Sequence, residues 1–141
     1  MSPHQKRFKI VSLVILFVAL VEVVCGVLLL LGSPLAAGIR VSLGDGASYD
    51  GATAAEVLGV LAVVVGLYCL IVGVTGARAA NSPRNVGKFN ALCAVMLVAS
   101  LVQVGLGVTT GQVGWVEVLL AVLGVLGLVS ARTAHNEALD R

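Results

Sequence analysis

The sequence predicts an all-α integral membrane protein: four transmembrane helices in one bundle, arranged as two parallel helical-hairpin repeats. Three observations carry this expectation. Apolar residues make up 59% of the chain and charged residues only 11%, against about 25% charged in soluble domains. Four uninterrupted apolar stretches are each long enough to cross a bilayer. The first of them returns in altered form later in the chain, Phe8 recurring as Phe89.

A chain of 141 residues has too little interior to hide so much apolar surface from water, so lipid is the expected solvent for most of it. The formal net charge is only +2, and no basic groove with interleaved aromatics accompanies it, so nucleic acid is not an expected partner.

The first span covers about residues 10–31, behind the basic stretch KRFK. Its apolar region is too long for a signal peptide, and GSPLAAG offers no small-x-small cleavage site. Residues 32–53, rich in Gly, Ala and Ser, form an outer loop in which the alternation of IRVSL suggests a brief strand. The second, third and fourth spans cover about 54–77, 90–110 and 113–131. At 1.5 Å per residue each span is roughly 28 to 36 Å long, enough for a hydrocarbon layer of about 30 Å. The polar tail AHNEALDR continues the fourth helix. The whole chain, 1–141, is a single membrane domain with repeat 1 at 7–80 and repeat 2 at 88–135.

Charge sets the expected orientation, because Lys and Arg near helix ends favour the cytoplasm. Lys6, Arg7 and Lys9 precede the first span, Arg78, Arg84 and Lys88 lie between the second and third, and Arg132 and Arg141 follow the fourth. Only Arg40 lies in the other two loops. Both termini are therefore expected in the cytoplasm, with Phe8 and Phe89 at the inner interface and Tyr49 and Trp115 near the outer one. The abundance of Val, Ala and Gly with few Lys suggests a bacterial inner (plasma) membrane.

The repeat aligns KRFKIVSLVILFVALVEVVCGV with GKFNALCAVMLVASLVQVGLGV without gaps, placing Glu22 on Gln103 and Gly26 on Gly107. In the second helix of each hairpin, AEVL at 55–58 echoes VEVL at 116–119, and GARAA at 76–80 echoes SARTA at 130–134.

Helix association in lipid lacks a hydrophobic drive and relies on close packing. The second span provides for it: Ala55, Gly59, Ala62, Gly66, Cys69, Gly73 and Gly76 alternate spacings of four and three, a seam of small residues on one face. Comparable stripes carry Ser12, Ala19, Glu22, Gly26 and Ser33 on the first span, Cys93, Ser100, Gln103, Gly107 and Thr110 on the third, and Gly114, Glu117, Ala121, Gly124 and Ala131 on the fourth. These stripes are expected to face the bundle interior. Cys25, Cys69 and Cys93 fit neither a zinc site nor a redox pair and read as small packing residues.

The candidate polar site is Glu22 with Gln103, Glu117 and Glu56. The 17 Leu, Ile, Val and Phe residues of residues 10–31 favour insertion by roughly 5 to 10 kcal/mol, against about 3 kcal/mol for a central acid. Insertion is secure, but an intramembrane acid invites a functional reading. In the structural reading, Glu22 in its neutral form shares hydrogen bonds with Gln103 and pins helix one against helix three. In the functional reading, Glu22 couples protons or cations, with Gln103, Glu117 and Glu56 lining a route outward.

His4 and His135 lie in polar tails, and no nucleophile set, phosphate loop, metal-ligand motif or lipidation signal occurs. The expected function is accordingly non-enzymatic, without cofactor or metal: a membrane interaction or scaffolding protein, self-associating or bound to another membrane protein. A small ion channel or proton-coupled transporter using Glu22 is the alternative. Small multidrug transporters also carry an acid in the first of four helices, but the one-sided charge and the lack of later aromatics argue against that family. GVTGARAANS resembles the corresponding region of tetraspanins, whose paired-cysteine motif and disulfide-bonded loop are missing here. No family is assigned on these grounds.

The topology has a direct test. A cysteine placed at position 2 should resist an impermeant thiol reagent in intact cells, and one placed at Ser48 should react; labelling at position 2 from outside would overturn the orientation.

Overall fold

The computed structural model describes residues 3–42, 48–82, 86–110 and 114–139. Its four long helices are α1 (Pro3–Gly32), α2 (Gly51–Ala79), α3 (Val86–Thr110) and α4 (Trp115–Leu139). Each is long and apolar enough to cross a membrane, as in an integral membrane protein. Arg84, Arg141, residues 43–47 of the expected outer loop and the first residue of the expected fourth span lie outside the described residues.

No proline interrupts any helix, since Pro3 opens α1 and Pro34 follows it. Pro3 sits where its missing N–H costs nothing. At the other end, Ser33–Ala36 forms a 3-10 turn, because Pro34 cannot continue the α-helical ladder. The helices run past the apolar spans at the terminal end: α1 takes in the basic residues from Lys6 to Lys9, and α4 carries the polar tail as far as Leu139.

The 32–53 connection contains the expected strand. Arg40–Ser42 (β1) pairs antiparallel with Ser48–Asp50 (β2), with Val41 opposite Tyr49. Asp50 fastens this hairpin to α2. One carboxylate oxygen accepts from Ala52 N at 3.2 Å and caps the helix, and the other accepts from Gly38 N at 2.9 Å. Gly38 has φ 84°, a left-handed conformation that favours glycine.

The helices run up and down in ring order α1, α2, α3, α4, so α1 and α3 stand diagonally and both termini lie at one end, called the base below. The main interface is α1 on α2. A Cβ on Gly26 would stand 2.8 Å from Val63 N and 2.9 Å from Gly59 O, and one on Gly59 would stand 2.9 Å from Gly26 O. Backbone meets backbone there, which only glycine allows.

The buried core is concentrated in the half of the bundle nearest the base. It runs through Phe8, Ile15 and Ala19 on α1, Cys69, Val72 and Ala79 on α2 with Ala80 just past its end, Val86 to Met96 on α3 and Leu120 to Ala131 on α4. Phe8 and Phe89 meet edge to face, with ring centroids 5.0 Å apart at 68°, and both are fully buried. Their expected role as interface anchors is thus replaced by a core role: the helices extend beyond them, so both rings fall inside the packed base. Tyr49 and Trp115, by contrast, are exposed.

The two hairpins pack alike. Phe8, Ser12, Ile15 and Ala19 are buried on α1, and Phe89, Cys93, Met96 and Ser100 are buried at the aligned positions of α3. Leu16 covers Gly73 as Leu97 covers Gly124, and Ser12 covers Gly76 as Cys93 covers Gly127. This contact register matches Gly73 with Gly124, and not Gly76 with Ser130 as the sequence echo suggests. On it, Trp115 corresponds to Val64, so α2 runs about 20 Å beyond the level at which α4 begins.

Glycine substitutions should separate contact from propensity. Gly26→Ala or Gly59→Ala should destabilise the protein by about 1 to 3 kcal/mol through overpacking. Gly105→Ala, whose Cβ would meet nothing within 4 Å, should be neutral or stabilise by up to about 1 kcal/mol. Thermal unfolding in detergent would read both.

Candidate functional site

Above the packed base, the late start of α4 leaves space between the helices. A cavity of about 580 Å³ opens there, with Phe17, Glu22 and Cys25 from α1, Leu61 and Val65 from α2, Gln103 from α3 and Glu117 and Leu120 from α4 among its walls. A second cavity of about 280 Å³ lies between α2 and α3 and shares Val65, Gln103 and Leu120 with the first. Below them, the Tyr68 hydroxyl donates to Leu92 O at 2.8 Å, tying α2 to α3.

Glu22 and Glu117 are both half-buried, face the larger cavity and lie within electrostatic range of each other. The late start of α4 brings Glu117, in its first turn, down to the level of Glu22. The Glu117 carboxyl folds back against Gly114. Oε2 of each glutamate is buried without a hydrogen-bond partner. A buried polar group left without a partner costs about 1 to 3 kcal/mol.

Gln103 lines the same cavity but is exposed, and no hydrogen bond joins it to Glu22 among the described residues. The expected pinning of helix one to helix three is not seen. The physical reason is the ring order, which puts α1 and α3 on a diagonal with the cavity between them. Glu56 lies apart from the cavity, exposed at the far end of α2, with Oε1 3.5 Å from the Ser33 hydroxyl. The four expected polar residues therefore divide into three that share a cavity and one that does not.

The small-residue seam of α2 turns toward α1 along its length. Gly59, Gly66, Gly73 and Gly76 meet Gly26, Val23, Leu16 and Ser12 respectively. Cys69 is buried in the core, and Ala62 lines the cavity. Gly107 is half-buried on α3. Cys93 is buried, its thiol 3.4 Å from Gly124 O, but Cys25 is exposed on the cavity wall and is not a packing residue.

Two features lay beyond sequence reasoning. Tyr68, an aromatic inside an apolar run, gave no sign that its hydroxyl would seek a backbone carbonyl on another helix. The common level of Glu22 and Glu117 depends on the register of α4, which the sequence echoes misplace. Among the described residues no group of three or more His, Cys, Asp or Glu side chains is placed to hold a metal ion.

The site and fold define a four-helix membrane-type bundle with an acidic, apolar-walled cavity. The chain matches no protein-family model, no curated protein and no solved structure.

If the buried acid is a stability liability, Glu22→Leu should raise the unfolding free energy by about 1 to 2 kcal/mol, and Glu22→Gln should change it less. Loss of stability in Glu22→Leu, measured by thermal unfolding, would mean that the carboxyl is satisfied in the folded protein.

Proposed function

We propose that the protein is a non-enzymatic four-span membrane interaction or scaffolding protein, working within a bacterial inner membrane with both termini in the cytoplasm. The observation that supports this reading is the contrast between the two ends of the bundle. The base is packed shut, whereas the far half leaves an apolar-walled opening between a glycine-locked hairpin and a shorter one. Such an opening is a receiving surface for something already in the bilayer, a second copy of the chain or another membrane protein.

The two hairpins are read as a parallel duplication about an axis along the membrane normal. The aligned burial of Phe8, Ser12, Ile15 and Ala19 with Phe89, Cys93, Met96 and Ser100 supports it.

The second reading, a proton-coupled transporter using Glu22, is favoured by one specific observation: a second carboxyl, Glu117, shares its cavity. Of the two transport classes, a carrier fits better than a channel, since Phe8 and Phe89 close the base beneath the cavity.

Proton and monovalent-cation flux in liposomes separates the readings. For an interaction protein, wild type and Glu22→Gln should show the same oligomeric state and no flux above empty vesicles. Flux in wild type that falls to background in a folded Glu22→Gln would replace the scaffold with the transporter.

A further inference from the structure

The larger cavity combines three properties that together select a ligand class. Its volume of about 580 Å³ falls within the usual range for small-molecule pockets, roughly 300 to 1,000 Å³. Among the described residues its walls are aliphatic and aromatic except for Glu22, Gln103, Glu117 and the thiol of Cys25, and no described Lys, Arg or His lines it. Both glutamates hold a buried oxygen that accepts no hydrogen bond. The cavity thus presents two carboxyl groups that no described protein group hydrogen-bonds, set in a largely apolar wall, and the complementary ligand is a cation that carries N–H donors and hydrocarbon.

A divalent metal fits poorly. Calcium takes about six to eight oxygen ligands, and two carboxylates and one amide supply too few. A small hydrated monovalent ion would leave most of the wall without a partner. Apolar contact favours an organic group, and the unpaired acceptors favour a primary or secondary ammonium over a quaternary one, which has no N–H to give.

We propose that the cavity binds a monovalent amphiphilic amine, its ammonium group between Glu22 and Glu117 and its hydrocarbon along Phe17, Leu58 and Leu61. This gives the opening a small-molecule occupant in place of the protein partner of the scaffold reading, and it names a substrate class for the transporter reading without depending on flux. Gln103 stands at the cavity wall as a further acceptor through its amide oxygen.

The test uses the full chain in nanodiscs of zwitterionic phosphatidylcholine, with radiolabelled decylamine as probe and empty discs as background. Saturable binding of one decylamine per chain is expected. It should weaken by about tenfold or more in Glu22→Gln/Glu117→Gln, as loss of charge-assisted hydrogen bonds implies. Decanol should not compete, and decyltrimethylammonium should bind more weakly than decylamine.

Leu61→Trp narrows the cavity while keeping both acids and should also weaken binding. Size-exclusion and circular dichroism profiles establish that each variant is folded; if the double variant does not fold, Glu22→Gln and Leu61→Trp carry the test. Absence of saturable binding, equal affinity in the folded carboxyl variants, or equal competition by decanol would overturn the proposal. Flux measured on the same samples bears on the transporter reading alone, so binding without flux removes that reading and keeps the site.

Discussion

The close approach of α1 and α2 at Gly26 and Gly59 is the constraint on which the rest of the structure depends. In lipid, apolar side chains gain little by leaving solvent for each other, so helices hold together where shape permits dense contact. Here a Cβ on either glycine would collide with backbone of the other helix. The α1–α2 hairpin is consequently a close-packed unit, extended at its far end by the clasp of Asp50 on Gly38 and Ala52.

The second hairpin repeats this packing over the base and then departs from it. Gly124 and Gly127 meet Leu97 and Cys93 as Gly73 and Gly76 meet Leu16 and Ser12. Beyond that level α4 has no counterpart to the segment of α2 from Gly51 to Val63. The late start of α4 beside the longer α1 and α2 leaves a void, and the void is where the acids face. Glu117 owes its place in the cavity to the late start of α4, and Glu22 owes its unpaired oxygen to the diagonal relation of α1 and α3. Geometry at the helix ends therefore creates the polar site at mid-bundle.

Much of this architecture was legible in the residues. Span positions follow from apolar run length, and the α2 seam from its alternating four-and-three spacing of small residues, because both are local properties of one helix. The brief strand at Arg40–Ser42 was legible from alternation. What escaped the sequence was relational. Gln103 aligns with Glu22 when the two sequence stretches are matched, yet alignment carries no information on which helices are adjacent. Phe8 and Phe89 occupy positions typical of interface aromatics, but the extension of α1 and α4 past them turns the same rings into core. Matching SARTA to GARAA shifts α4 relative to its packing register, since Ala and Arg at a helix end recur by composition while Gly124 and Gly127 are placed by contact.

The central claim, a packed base beneath an open cavity, is tested most directly by the three native thiols. Cys25 lies on the cavity wall and is exposed, whereas Cys69 and Cys93 are 1% and 0% exposed in the core. N-ethylmaleimide, small and soluble in both water and lipid, should modify one site per chain in the folded protein, and peptide mass analysis should place it at Cys25. Modification of Cys69 or Cys93 at a rate comparable with Cys25 would contradict the packed base.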